Sequence, residues 1–361
     1  MNKIRVLIVD DSVVVRRLLS ESLRADPAID VVGIAPNGQL ALARLPQLTP
    51  DLVTLDLEMP DMDGLATLKA IRAAYPALPV LMVSRYTQRL ARATLDALAL
   101  GAADYLTLPE HSSLATATEW IQGQLIPRIK QLGQPHSPSP DAPRPSSTYM
   151  EPRSRVEVVA IGSSTGGPQA LLAVLSALPL PLPVPIVIAQ HMPADFTRSL
   201  AERLARLTSL TVREATPDAL LETGDVWIAR GGLHLAVVRD NRSHRLRLLA
   251  SPPENSCRPS ADVLFRSVGE VFGAGVLGVV LTGMGQDGLR GCEAIRAAGG
   301  QVVTQDKATS VVWGMPGAVT EAGLSNQVLP LDEIGPEIGR RVRRGRSMLG
   351  MRPPVPALPS N

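Results

Sequence analysis

The sequence predicts an α/β protein made of two doubly wound domains, each with a mainly parallel sheet. Short Val/Ile/Leu runs alternate with longer stretches of helical periodicity along most of the 361 residues, the pattern of βαβ units. A Pro- and Ser-rich stretch, QPHSPSPDAPRPSSTYMEPR at 134–153, interrupts this alternation and has almost nothing to bury, so it reads as an extended linker. Turns rich in Asp, Gly and Ser follow several of the apolar runs, at the sheet edge where open α/β sheets bind ligands. The expected divisions are a first domain at 1–132, a linker at 133–154, a second domain at 155–347 and a disordered tail at 348–361.

In the first domain the expected strands are 4–10, 31–35, 52–57, 79–84 and 104–108, with helices over 12–25, 38–45, 63–74 and 88–100. Asp10 and Asp11 lie just past the first strand and Asp56 at the end of the third. Singly, any of them reads as a strand end or a helix cap, and Asp11 or Ser12 suits an N-cap. Three carboxylates converging on one edge repel one another unless a hard, oxygen-seeking cation, most plausibly Mg²⁺, lies among them.

The phrases IVDDS, LDLEMPDMDG, LMVS and GAADYL resemble the receiver domains of two-component response regulators, which are flavodoxin-like. The resemblance implies that Asp56 is the phosphoacceptor and that Asp10, Asp11, Asp56 and the backbone carbonyl of Glu58 hold Mg²⁺. It makes Ser84 the hydroxyl that contacts the phosphoryl group and Tyr105 the aromatic of the switch. One position departs from the pattern: Leu108 stands where receivers carry a Lys. Without that ammonium, phosphorylation or its coupling is expected to be weaker, unless Arg85 or another cation substitutes.

In the second domain, VVAIGSSTGGPQALLAVLSAL at 158–178 passes from an apolar run through a Gly/Ser turn into an amphipathic stretch. Gly162-Ser163-Ser164-Thr165-Gly166 fits G-x-S-x-G between strand and helix, which holds the middle hydroxyl out as a nucleophile. The plainer reading is a Gly/Ser turn capping a helix. A phosphate-cradling P-loop is disfavoured, because no Lys follows the glycines. Ser164 needs a base. Of five histidines, His111 and His136 fall outside this domain, and His234 and His244 flank an expected β-hairpin. His191, after PIVIAQ, alone ends a strand on the edge that carries Ser164. Asp287 follows a third strand, in LTGMGQDG, and would orient the imidazole. Backbone N–H groups near Thr165 and Met284 could bind an oxyanion. The same segment spells G-x-G-x-x-G at 283–288, with Asp306 beyond it, the spacing of a dinucleotide fingerprint. Asp287 would repel a pyrophosphate there, and the match falls late in the domain.

IGSSTGGP, AQHMP, SCRPSADVLF, LTGMGQDG and WGMPGAV resemble the catalytic domain of chemotaxis protein-glutamate methylesterases, over nearly the whole second domain. The resemblance implies a Rossmann-like serine esterase that needs no cofactor. It would hydrolyse glutamate γ-methyl esters on the cytoplasmic domains of methylated chemoreceptors, and it would deamidate some receptor glutamines. The triad carried over by motif is Ser164, His191 and Asp287, as spacing suggests. Cys257 and Arg258 belong to the motif without a derivable role. The resemblance also implies a histidine kinase as partner and a receiver that covers the catalytic cleft until phosphorylated. A catalytically silent regulatory module and a dinucleotide-binding enzyme remain as alternatives.

Bulk composition fits this reading. Hydrophobic residues make up 45% and aromatic residues 3%, so the cores must rest on Leu, Val, Ile and Ala. The net charge of +2 argues neither for nor against a nucleic-acid surface, and no nucleic-acid partner is expected. The basic run GRRVRRGR at 339–346 reads as a solvated helix face. Two cysteines without metal-ligand spacing suit a reducing cytoplasm, and no apolar window is long enough for membrane insertion.

Overall fold

The first five apolar runs become five parallel strands. The structure is a computed structural model that describes residues 3–85, 88–109, 113–133 and 154–344. Its first strands are β1 (Ile4–Val9), β2 (Ile29–Ala35), β3 (Leu52–Leu55), β4 (Val80–Arg85) and β5 (Asp104–Leu108), joined by α1 (Val13–Arg24), α2 (Gly38–Leu48), α3 (Gly64–Ala74) and α4 (Gln88–Ala99). The order is β2-β1-β3-β4-β5. β1 and β3 are apolar nearly throughout and buried, as parallel strands covered on both faces must be. Ser12, Asn37 and Asp63 accept first-turn amides of α1, α2 and α3, each such cap being worth about 1 kcal/mol. The strand order reverses between β1 and β3, so Asp10 and Asp56 flank the switch point, where such sheets bind ligands.

The sequence reading stopped at β5. The structure adds α5 (Leu114–Trp120), a π-helical turn at Ile121–Leu125 and α6 (Ile126–Leu132). Ile121, Leu125, Ile126, Ile129 and Leu132 are buried there. The wide turn comes just before Pro127, which has no amide to donate.

In the second unit the strands are β6 (Val158–Ser163), β7 (Ile186–Gln190), β8 (Thr211–Glu214), β9 (Asp225–Ile228), the hairpin β10 (His234–Asp240) and β11 (Ser243–Leu249), then β12 (Val276–Val280), β13 (Gln301–Gln305) and β14 (Gln327–Leu329). The helices are α7 (Gly167–Ser176), α8 (Ala194–Leu207), α9 (Ala261–Phe272), α10 (Leu289–Ala297), α11 (Met315–Glu321) and α12 (Leu331–Arg343). Seven strands form a parallel sheet in the order β14-β13-β12-β6-β7-β9-β8. The chain works outward from β6 through β7, then returns to β6's other side with β12. Leu235, Val237 and Leu246 of the hairpin share a core with Val158, Phe265, Val268 and Val276.

The chain divides between residues 140 and 141. The expected linker, apart from its two end residues, and the expected tail lie outside the described residues, as do His111 and His136. Among the described residues no helix is long and apolar enough to cross a membrane. The basic run is exposed at Arg340 and Arg344, as its expected solvated face requires, and departs from it at one position. Arg341 is buried and donates to Glu337, Gln301 and Gln327, since a buried guanidinium must fill its hydrogen bonds.

Candidate active site

Register pairing brings three strand ends together. Gly162 of β6 pairs with Ala189 of β7 on one side and Val280 of β12 on the other. Beyond the strands, the His191 amide donates to Ser163 O at 3.1 Å, and the Ser164 amide to Thr282 O at 3.1 Å. A buried clamp lies underneath: Ser163 Oγ donates to Gln190 Oε1 at 2.6 Å, and Gln190 Nε2 donates to Ser164 O at 2.9 Å. Sequence reasoning passed over Ser163 and Gln190, although polar residues closing two otherwise apolar strands were the available signal.

The Gly/Ser turn then enters α7. Gly166 has φ of 75°, and a Cβ there would lie 2.7 Å from Val311 Cβ, so two constraints require glycine. Gly283 serves Ser164 directly, because a Cβ at 283 would lie 2.8 Å from Ser164 Cβ. Ser164 itself is 9% exposed. Thr165 is buried, with its carbonyl accepting from Thr282 Oγ1 at 2.9 Å. Met284 is half-buried in the loop after β12.

His191 and Asp287 meet, with Nε2 and Oδ2 2.7 Å apart. The carboxylate also accepts from the Ala261 amide at 2.6 Å, Ser260 Oγ at 2.7 Å, Asn255 Nδ2 at 2.9 Å and the Asp262 amide at 3.2 Å. Two of these donors are first-turn amides of α9, whose dipole favours the anion. Burial alone would raise Asp287, but the hydrogen bond and charge of His191, then Ser260 and Ala261, hold it well below the usual carboxylate range. Burial likewise opposes a charged His191. The hydrogen bonds to Asp287 and Cys257 outweigh it and hold His191 at about 9.

Ser164 stands at the adjoining strand end. Among the described residues no hydrogen bond joins its hydroxyl to His191, whose Nδ1 instead faces Cys257 Sγ at 3.4 Å. Catalytic hydrogen bonds are often long before substrate arrives. The SCRPSAD motif thus acquires contacts that sequence left without a role: Cys257 at the imidazole and Ser260 at the carboxylate. Arg258 holds the loop by donating to Ala250 O and Ser251 O. The dinucleotide spacing finds no support in this arrangement. Asp287 fills its loop with the carboxylate network, and Asp306 accepts from Thr309.

In the first unit, carboxylate oxygens of Asp10, Asp11 and Asp56 lie within 4.8 Å of one another. This all-oxygen donor set fits a hard cation. Asp10 is pushed up to about 7 by burial, then by Asp56, against the hydrogen bond from the Ser12 amide. Asp56 is also raised by burial, although Ser84 and the Leu57 and Glu58 amides bond it. Tyr105 is half-buried on β5. Leu108 is buried at the end of β5, in register with Arg85, whose side chain lies outside the described residues. Arg16, which sequence reasoning did not single out, donates to Asp10 O at 2.6 Å and supplies the nearby positive charge.

A five-stranded unit with an acidic pocket, followed by a unit built on a seven-stranded parallel sheet with an imidazole–carboxylate pair at its edge, defines the class: a receiver linked to a Rossmann-like α/β domain with a hydrolase-type site. Comparison with known proteins makes this specific. The response regulator receiver domain family matches residues 6–118, and the CheB methylesterase family matches residues 159–338. A protein of Trichodesmium erythraeum named protein-glutamate methylesterase/protein-glutamine glutaminase is 52% identical, over 95% of this chain and 100% of its own. A Nocardioides protein of the same name is 50% identical, over 97% and 98% respectively. The crystal structure of the Thermotoga maritima CheB methylesterase catalytic domain is 40% identical, with a TM-score of 0.51, and covers 52% of this chain and 99% of that one. The chain belongs to the receiver-linked protein-glutamate methylesterase family.

Proposed function

We propose that the domain at 155–347 is a serine esterase for glutamate γ-methyl esters on chemoreceptor cytoplasmic helices, and that the receiver at 1–132 governs it in the cytoplasm. The observation that carries this reading is the His191–Asp287 pair beside Ser164 at one sheet edge, in a chain whose full-length relatives bear the methylesterase name.

In this reading His191 Nδ1 leaves Cys257 and accepts the Ser164 proton as Oγ attacks the ester carbonyl. Asp287 keeps the other ring proton on Nε2 and stabilises the imidazolium. Backbone amides of Thr165 and Met284 receive the oxyanion. His191 then protonates the departing methoxide, and methanol leaves. Water, deprotonated by His191, cleaves the acyl-serine and restores the glutamate carboxylate. A glutamine γ-amide follows the same course, with ammonia leaving. The test is methanol release from a methylated receptor fragment by the whole chain. Release is expected, and none at any pH rejects the proposal.

The base must be neutral to act. With His191 held at about 9, kcat/KM should rise with pH and level off near that value. A profile flat between about pH 6 and 8 would contradict this assignment of the base.

In the receiver, Asp10, Asp11, Asp56 and the Glu58 carbonyl would hold Mg²⁺, which when bound neutralises phosphoryl oxygens. Asp56 would take the phosphoryl group from a histidine kinase, Ser84 would contact it, and Tyr105 would respond. Leu108 removes one charge-assisted contact, worth about 1.5–3 kcal/mol. Acetyl phosphate should therefore stimulate methanol release only weakly, and Leu108→Lys should increase the stimulation severalfold. Equal stimulation of the two proteins would show that the missing ammonium does not matter.

A further inference from the structure

The loop before α9 presents a thiol to the imidazole. Glu254 and Cys257 exchange backbone hydrogen bonds of 3.1 and 2.9 Å, and Asn255 and Ser256 between them take φ of 51° and 61°. This tight reversal is anchored on both sides. Glu254 forms a bidentate pair with Arg266 at 2.8 and 2.6 Å. Asn255 Nδ2 bridges Asp262 at 2.8 Å and Asp287 at 2.9 Å. Cys257 Sγ is thereby held 3.4 Å from His191 Nδ1, across the ring from Asp287. Thiol, imidazole and carboxylate form a continuous hydrogen-bonded chain, the arrangement that activates a cysteine. Cys257 is half-buried, so a small reagent can reach it. The other cysteine, Cys292, is fully buried and its thiol is pushed up by burial, which makes it inert.

We propose that Cys257 is a modification site for peroxide-class oxidants, and that its oxidation switches the esterase off by occupying the nitrogen Ser164 needs. The inference rests on the reading of His191 as the esterase base. Cys257 gives up its proton to solvent beside the His191 imidazolium, and the thiolate so paired attacks one oxygen of hydrogen peroxide. The S–O bond forms as the O–O bond breaks, and the departing hydroxide takes the proton from His191 and leaves as water. The resulting sulfenic acid donates its O–H to Nδ1. Two equivalents of a small thiol reduce it, yielding Cys257, a small-molecule disulfide and water.

The experiment uses the full chain treated with graded hydrogen peroxide. Intact and peptide mass spectrometry read oxygen uptake at Cys257, and methanol release is measured on the same samples. Activity should fall in proportion to the fraction of Cys257 oxidised, and dithiothreitol should restore it. Treated Cys257→Ala should keep the activity of its own untreated sample. Oxidised enzyme that turns over like reduced enzyme overturns the proposal, as does a Cys257 that takes up no oxygen. A second readout does not depend on turnover. Iodoacetamide should alkylate Cys257 about tenfold faster in the wild type than in His191→Gln at neutral pH, and equal rates overturn the thiol–imidazole pairing. If untreated wild type releases no methanol, the esterase reading fails, and the alkylation rates still decide whether His191 activates the thiol.

Discussion

Ser164→Ala should lower methanol release by on the order of 10⁴-fold or more, because what remains without a nucleophile is binding and oxyanion stabilisation. The fold should be indifferent to the change. The Ser164 hydroxyl has no hydrogen-bond partner among the described residues, its Cβ is retained against Gly283, and its amide still donates to Thr282 O. Thermal unfolding of the variant should therefore follow the wild type closely, which separates lost chemistry from lost structure. The control matters here, since a second nucleophile stands on the same base: Cys257 Sγ already touches His191 Nδ1. If Ser164→Ala kept substantial activity and Cys257→Ala removed it, the acyl group would pass through the thiol and the serine assignment would fall.

How much of this was legible in the sequence follows from how each element is stabilised. Parallel strands buried on both faces announce themselves, so β1, β6, β7 and β12 stand out as Val/Ile/Leu runs. β8, β9 and β14 read TVRE, DVWI and QVL, too short and mixed for any period to show; they form because a neighbouring strand supplies their partners. Ser164, His191 and Asp287 could be placed on one edge because strand direction alone puts their turns there. Cys257, Ser260 and Asn255 could not. They reach the site from a loop whose path depends on tertiary anchors such as Arg266, and no local spacing encodes that. Arg341 shows the reverse error. Its neighbours Arg340 and Arg344 are solvated as the run suggests, but Arg341 turns inward because Gln301 and Gln327 provide acceptors.

Asp287→Asn should be costly to both catalysis and stability, by separable routes. The carboxylate accepts from five donors: His191, Asn255, Ser260 and the amides of Ala261 and Asp262. An amide offers one oxygen, and its NH₂ would face donors. At about 1–3 kcal/mol for each buried group left unsatisfied, the loss should be at least about 3 kcal/mol. Catalysis should fall on the order of 10⁴-fold, since the tautomer that leaves Nδ1 free to accept a proton is no longer enforced. The change in pH dependence identifies the cause. In the wild type His191 is raised from 6.5 to about 9 on folding, so the native state holds its proton more tightly than the unfolded chain. The resulting stabilisation is complete below about pH 6.5 and is lost as pH rises to about 9, an effect of about 3 kcal/mol at 1.36 kcal/mol per pKa unit. Without the carboxylate the main interaction raising His191 is gone and burial still lowers it, so this decline should vanish from the variant. Urea denaturation at about pH 6 and about pH 9.5 measures it directly. A variant whose stability falls over that interval as steeply as the wild type's would show that the proton is held by something other than Asp287.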